Sequence, residues 1–163
     1  MQQHKNILVK NFLTIAIAVL SSAAIHAQKL DKALVENFIQ SKEFVFNAQT
    51  VLPMSGASRQ LTSDYDVRFL GDSIVAYLPY FGRAYSGGYG EGGAIDFTST
   101  KFDYTVSQRK KGGWDISIKP KDAKDVQRLN FTVSDNGYAT LQVTSNNRQP
   151  ISFNGYIVER KKK

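Results

Sequence analysis

Asp64-Tyr65-Asp66-Val67-Arg68-Phe69-Leu70-Gly71-Asp72-Ser73-Ile74-Val75-Ala76-Tyr77-Leu78 is the stretch that decides how the chain folds. Tyr65, Val67 and Phe69 alternate with Asp64, Asp66 and Arg68, a period of two that suits a strand with one buried face and does not suit a helix. Gly71-Asp72 then supplies turn residues and 73–78 resumes the strand pattern, so the segment reads as a hairpin.

The same pattern repeats on both sides of it. Upstream, Phe44, Phe46 and Ala48 alternate with Val45, Asn47 and Gln49, the strand ends near Pro53, and Ser55 to Ser58 forms a flexible link. Downstream, strands are predicted at 94–98, 102–108, 114–119, 126–133, 138–143 and 151–158, separated by polar or Gly- and Asn-rich turns. Within the last of them Asn154-Gly155 reads as a bulge. Before the first strand, Leu30, Ala33, Leu34, Phe38 and Ile39 recur at helical spacing over 30–41. The expected fold is mainly β: an antiparallel meander of eight or nine strands with one N-terminal helix. It closes as an up-and-down, lipocalin-like barrel or stacks as a two-layer sandwich.

Residues 1–27 carry a basic start, an apolar run over 12–20 and a small-residue end, the pattern of a secretory signal peptide. The run is too short for a membrane-spanning helix, so no transmembrane segment is expected after cleavage. What remains is one β-rich domain, 28–159, and a basic tail, 160–163. The net charge of +7 lies mostly in the lysines of the leader and in that tail. The body is close to neutral, which argues against nucleic acid as a partner. The absence of cysteine removes any disulfide framework and any lipid attachment through a leader cysteine.

Both histidines, His4 and His26, fall in the leader, so a mature domain would lack the usual general base and the nitrogen and sulfur ligands of metal sites. No catalytic residue, metal ligand or cofactor is assigned. Glu91 and Asp96, with Asp66 across the sheet, are the acidic residues from which a carboxylate-dependent glycoside hydrolase would have to be built. Gly88-Tyr89-Gly90-Glu91-Gly92-Gly93 matches a dinucleotide fingerprint in letters alone, because strand pattern rather than helix follows it.

The densest cluster of chemistry is Leu78-Pro79-Tyr80-Phe81-Gly82-Arg83-Ala84-Tyr85, running into the glycine-rich 86–93. In a structural reading Tyr80, Phe81 and Tyr85 fill the end of the core and Arg83 pairs with a carboxylate beneath the loop. In a functional reading Tyr80, Arg83, Tyr85 and Tyr89 present flat rings and a guanidinium to a ligand. Together with Tyr65-Asp66-Val67, Gly71-Asp72 and Asn147-Arg148-Gln149-Pro150-Ile151-Ser152-Phe153-Asn154-Gly155, this motif resembles a secreted family from Bacteroidetes known as a domain of unknown function. The resemblance covers the whole mature chain. It implies a small exported envelope protein, periplasmic or at the cell surface, and implies no activity. The expected function is therefore a non-enzymatic binding domain for a small molecule or envelope component, with 78–93 as its site. A structural or assembly protein of the envelope, acting through a sheet edge or the basic tail, is the alternative.

Overall fold

The computed structural model describes residues 30–85 and 93–160. The leader, its two histidines, Tyr89, Glu91 and the last three tail residues lie outside them. One helix, α1 (Lys32–Ser41), precedes nine strands: β1 (Glu43–Pro53), β2 (Arg59–Leu70), β3 (Ile74–Leu78), β4 (Ile95–Ser99), β5 (Phe102–Gln108), β6 (Trp114–Pro120), β7 (Val126–Val133), β8 (Tyr138–Ser145) and β9 (Ile151–Glu159). They form a single sheet in the order β4-β3-β2-β1-β9-β8-β7-β6-β5. Pairing of β1 with β9, from Phe44 opposite Glu159 to Pro53 opposite Ile151, brings the two ends of the meander together. The result is a nearly closed barrel, not a sandwich.

Closure is incomplete for a reason of parity. Every pairing in the row is antiparallel, and each reverses direction, so β4 and β5 at its two ends point the same way. They are successive halves of one bent path, joined through Thr100 and Lys101. Its first half bonds to β3 and its second to β6, which leaves a seam. The Asp122 carboxylate pins the corner, accepting from the Ser99 hydroxyl, from the Thr100 amide at 2.9 Å and from the Lys101 amide at 3.2 Å. The Ser99 hydroxyl foremost, with the Thr100 amide, favours the charged form and holds its pKa down at about 2.

The alternation of each strand sends one face inward, and the inward residues fill the barrel. Phe44 stacks on Phe69 at 4.3 Å, and Phe131 meets Phe46 and Phe69 edge-on at 5.3 and 5.7 Å. Phe153, Ile116, Ile118, Leu129 and Leu141 complete the packing, all fully buried. Each such side chain contributes roughly 1.5–3 kcal/mol of burial, so the interior is a core and not a container. Trp114 is buried at the start of β6, as its place after Gly112-Gly113 suggests.

Three sequence expectations shift. The buried stripe of α1 is Val35, Phe38 and Ile39, while Leu34 is 44% exposed and Ala33 faces solvent. The helix lies against the barrel end where β1 and β6 begin, and the Tyr104 hydroxyl on β5 donates to the Ile39 carbonyl at 3.0 Å. Strand β2 starts at Arg59 rather than Asp64, because Arg59 and Gln60 pair with Val51 and Thr50 although neither is apolar. Finally, the register shift lies on β1 between Ala48 and Thr50, opposite Asn154-Gly155, and not on β9. Gly155 is required for a different reason: a Cβ there would run into the Asn47 carbonyl oxygen of the neighbouring strand.

Candidate functional site

Strand β3 delivers Leu78 and Pro79 to the core, both buried, and the chain then turns outward. Tyr80 turns back. Its ring is buried, and its hydroxyl donates to the Arg83 carbonyl at 2.8 Å, with the Gln149 carbonyl 3.1 Å away as a second acceptor. Burial is the main cause that raises the pKa of this phenol. Gly82 lies across the ring, close enough that a Cβ would meet Tyr80 Cζ at 2.7 Å.

This turn is bound to a second loop. The Tyr85 amide donates to the Asn147 carbonyl at 2.7 Å, the Gln149 amide donates to the Arg83 carbonyl at 3.0 Å, and Ala84 forms a bridge with Arg148. Two of the stretches that carry the family resemblance, 78–85 and 147–155, more than sixty residues apart in the chain, therefore form one latch. Its centre is Arg148. The guanidinium lies 5.2 Å from the centre of the Tyr80 ring, bonds Asp125 through Nε at 2.8 Å and donates to the Gly93 carbonyl at 2.6 Å. Attraction to the ring and a half-buried carboxylate both hold it in place. The Asn146 amide donates to the Asp125 carbonyl at 2.8 Å, tying in the 122–127 segment as well.

The predicted site residues thus separate. Tyr80 is a buried support, Arg83 is exposed, Tyr85 is 68% exposed, and Tyr89 lies outside the described residues. The arginine that pairs with a carboxylate beneath the loop is Arg148, not Arg83. Phe81 is 40% exposed and has the Arg59 guanidinium 5.0 Å from its ring centre, so neither it nor Tyr85 fills the core. Arg148 stands in the late motif, 147–155, but nothing local in the sequence connects it with Tyr80 or Asp125.

Beside the latch the seam opens into a cleft of about 260 Å³, between Ala94 and the Ile95 to Thr98 part of β4 on one hand and Asp122 to Val126 on the other, with Arg148 at one side. Strand β4 has β3 on one side and no paired strand on the other among the described residues. Its outward edge presents backbone donors and acceptors, which an extended chain matches.

Of the acidic candidates, Glu91 lies outside the described residues, Asp96 lines the cleft, and Asp66 stands two strands away from it. Asp66 and Asp96 stand on either side of Tyr77 in one cross-strand row, which places their Cα atoms about 10 Å apart at two strand spacings. Partial burial raises the pKa of Asp66, opposed by Arg68 at 3.3 Å. Both carboxylates project from the outer face of the sheet. No helix among the described residues is long and apolar enough to cross a membrane.

The molecule is, by fold and site, a small antiparallel β-barrel with a filled interior, a seam, and an external latch at one end of that seam. The chain belongs to the family described as "Domain of unknown function (DUF4251)", which matches residues 26–157. It is similar in fold to the crystal structure of a DUF4251 family protein from Bacteroides eggerthii, with a TM-score of 0.60 at 17% identity over 78% of this chain and 87% of that one. No curated protein matches it.

Proposed function

We propose that this is an exported, non-enzymatic binding domain of the cell envelope that holds a polypeptide partner along the open edge of β4, beside the latched 78–85 loop. The observation that carries the reading is the seam. A filled barrel offers no interior for a ligand, whereas the β4 edge, which pairs with no second strand among the described residues, offers backbone groups next to two exposed side chains, Arg83 and Tyr85, on a braced loop. The cleft, at about 260 Å³, is below the size usual for small-molecule pockets, which favours a strand from a partner protein. Export is supported by the leader pattern of residues 1–27. A role in envelope assembly is the same reading seen from the partner's side.

The test is selection of a displayed library of linear peptides on the purified protein. Peptides that bind the parent, and lose binding when Arg83→Ala and Tyr85→Ala are combined without any fall in melting temperature, support it. Enrichment indifferent to that double substitution, or no enrichment, overturns it.

A further inference from the structure

The registers of seven strands align a second surface, remote in composition from the seam. On the outer face, Ser107, Asp115, Thr132, Thr140, Asn154, Thr50 and Gln60 lie opposite one another in a continuous row across β5, β6, β7, β8, β9, β1 and β2. The adjoining row is Thr105, Ser117, Asn130, Gln142 and Ser152. Asp115 is the one charged residue in the two rows, in a chain in which 21% of residues are charged. Neighbouring strands set these groups about 4.8 Å apart.

The row is already oriented by its own hydrogen bonds. The Thr132 hydroxyl donates to the Asp115 carboxylate at 2.9 Å, and the Thr140 hydroxyl donates to Asn154 Oδ1 at 3.0 Å. Both threonine protons therefore point along the row. What faces outward is threonine oxygen, an acceptor, and the Asn154 amide nitrogen, a donor. Arg109, 3.6 Å from Asp115 through Nε, adds guanidinium donors at the end of the row. Next to them stands Tyr138, 63% exposed. Tyr138, Thr132, Thr140, Asn154 and Arg109 line one shallow groove of about 380 Å³. The groove continues past Arg109 and Ser134 into a wider depression of about 760 Å³ that reaches Lys111 and Asn136.

We infer that this groove binds an oligosaccharide. A sugar ring has an apolar C–H face, which a tyrosine ring covers, and an equatorial fringe of hydroxyls, each both donor and acceptor. Mixed threonine acceptors and asparagine and arginine donors answer that fringe at strand spacing. Within the rows the one charge is the Asp115 carboxylate, and the cations beyond them, Arg109, Lys32 and Lys111, are offset by Asp115, Asp31 and Asp135, so the groove lacks the net positive field that a phosphate backbone or an anionic headgroup needs, and the open run past Arg109 suits several sugar units in series. The inference stands independently of the seam.

The experiment is calorimetric titration of the purified protein with defined tetra- to hexasaccharides: glucans, mannans, xylans and galacturonans. At least one class is expected to bind, and Tyr138→Ala and Asn154→Ala are each expected to weaken it by about tenfold, the loss of one stacking contact or one pair of hydrogen bonds. Both side chains are exposed, so melting temperatures should not change. Asn154→Asp, which keeps the shape and removes the donors, should weaken a neutral sugar as much as Asn154→Ala. The Arg83→Ala and Tyr85→Ala pair should leave sugar binding intact. Absence of binding across the panel, or binding that ignores both Tyr138→Ala and Asn154→Ala, overturns the inference.

Discussion

Arg148 holds Tyr80 and Asp125 at once, its guanidinium 5.2 Å from the ring centre of the first and 2.8 Å from the carboxylate of the second. One side chain thereby joins three segments that meet only in the folded protein: the turn after β3, the loop before β9 and the stretch between β6 and β7.

That arrangement makes Tyr80 and Gly82 interdependent. Tyr80→Phe should cost about 1 kcal/mol, the worth of its hydroxyl bond. Gly82→Ala should cost about 1–3 kcal/mol, because the new methyl displaces the ring. In a Tyr80→Ala background the Gly82→Ala change should cost almost nothing further. Urea unfolding of the double-mutant cycle reads the coupling, and simple additivity would mean that the ring is not what excludes the methyl.

Gly155 faces a harder boundary. Its obstacle is backbone, the Asn47 carbonyl, rather than a side chain that can rotate. Gly155→Ala is expected to destabilise by about 3 kcal/mol, more than Gly82→Ala, in the same unfolding assay. An equal or smaller cost would show that β1 and β9 separate easily at this point.

At low pH the corner between β4 and β5 should weaken. The Asp122 pKa is depressed to about 2 from an ordinary 3.8. Its contribution is thus complete above the ordinary value and is lost as pH falls through the folded one. Melting temperatures of the parent and Asp122→Asn, followed from pH 6 down to about pH 2, should converge as the carboxylate protonates. Curves that stay parallel would remove the charged form from the account.

At high pH the controlling group is Tyr104, whose pKa burial raises well above 10. An acid with a raised folded pKa keeps its proton in the native state and loses it on unfolding. Stability is therefore full below the unfolded value of about 10 and declines as pH rises past it. Tyr104→Phe should be less stable at neutral pH, for want of the bond to Ile39, yet should show a shallower alkaline decline. An identical slope in both proteins would assign that decline to other tyrosines.

The strands were legible because each is short, alternates and ends in turn residues. Predicted strands at 102–108 and 126–133 coincide with β5 and β7. What escaped is whatever depends on two distant segments. Arg59 and Gln60 carry no apolar signal and become strand only by meeting Thr50 and Val51. The stripe of α1 shifted to Val35 because the barrel end, not the helix, chooses which apolar face is covered. Tyr80 and Arg148 were both visible as motif residues, but their contact was not. The Thr132, Thr140 and Asn154 row was hidden more completely: each is one polar residue among others in its own strand, and only the registers line them up.

The pairing of β1 with β9 also governs the order in which the protein can fold. Phe44 and Glu159 are partners separated by nearly the whole described chain, so the contact that completes the barrel demands closure of the longest loop available and forms slowly. Until β9 has been synthesised, β1 and β8 each lack a neighbour, and the core that both enclose stays open to water. The two antiparallel blocks, β1 to β4 and β5 to β8, pair internally without β9, so what waits for the last strand is the joining of the blocks and the sealing of the core between them.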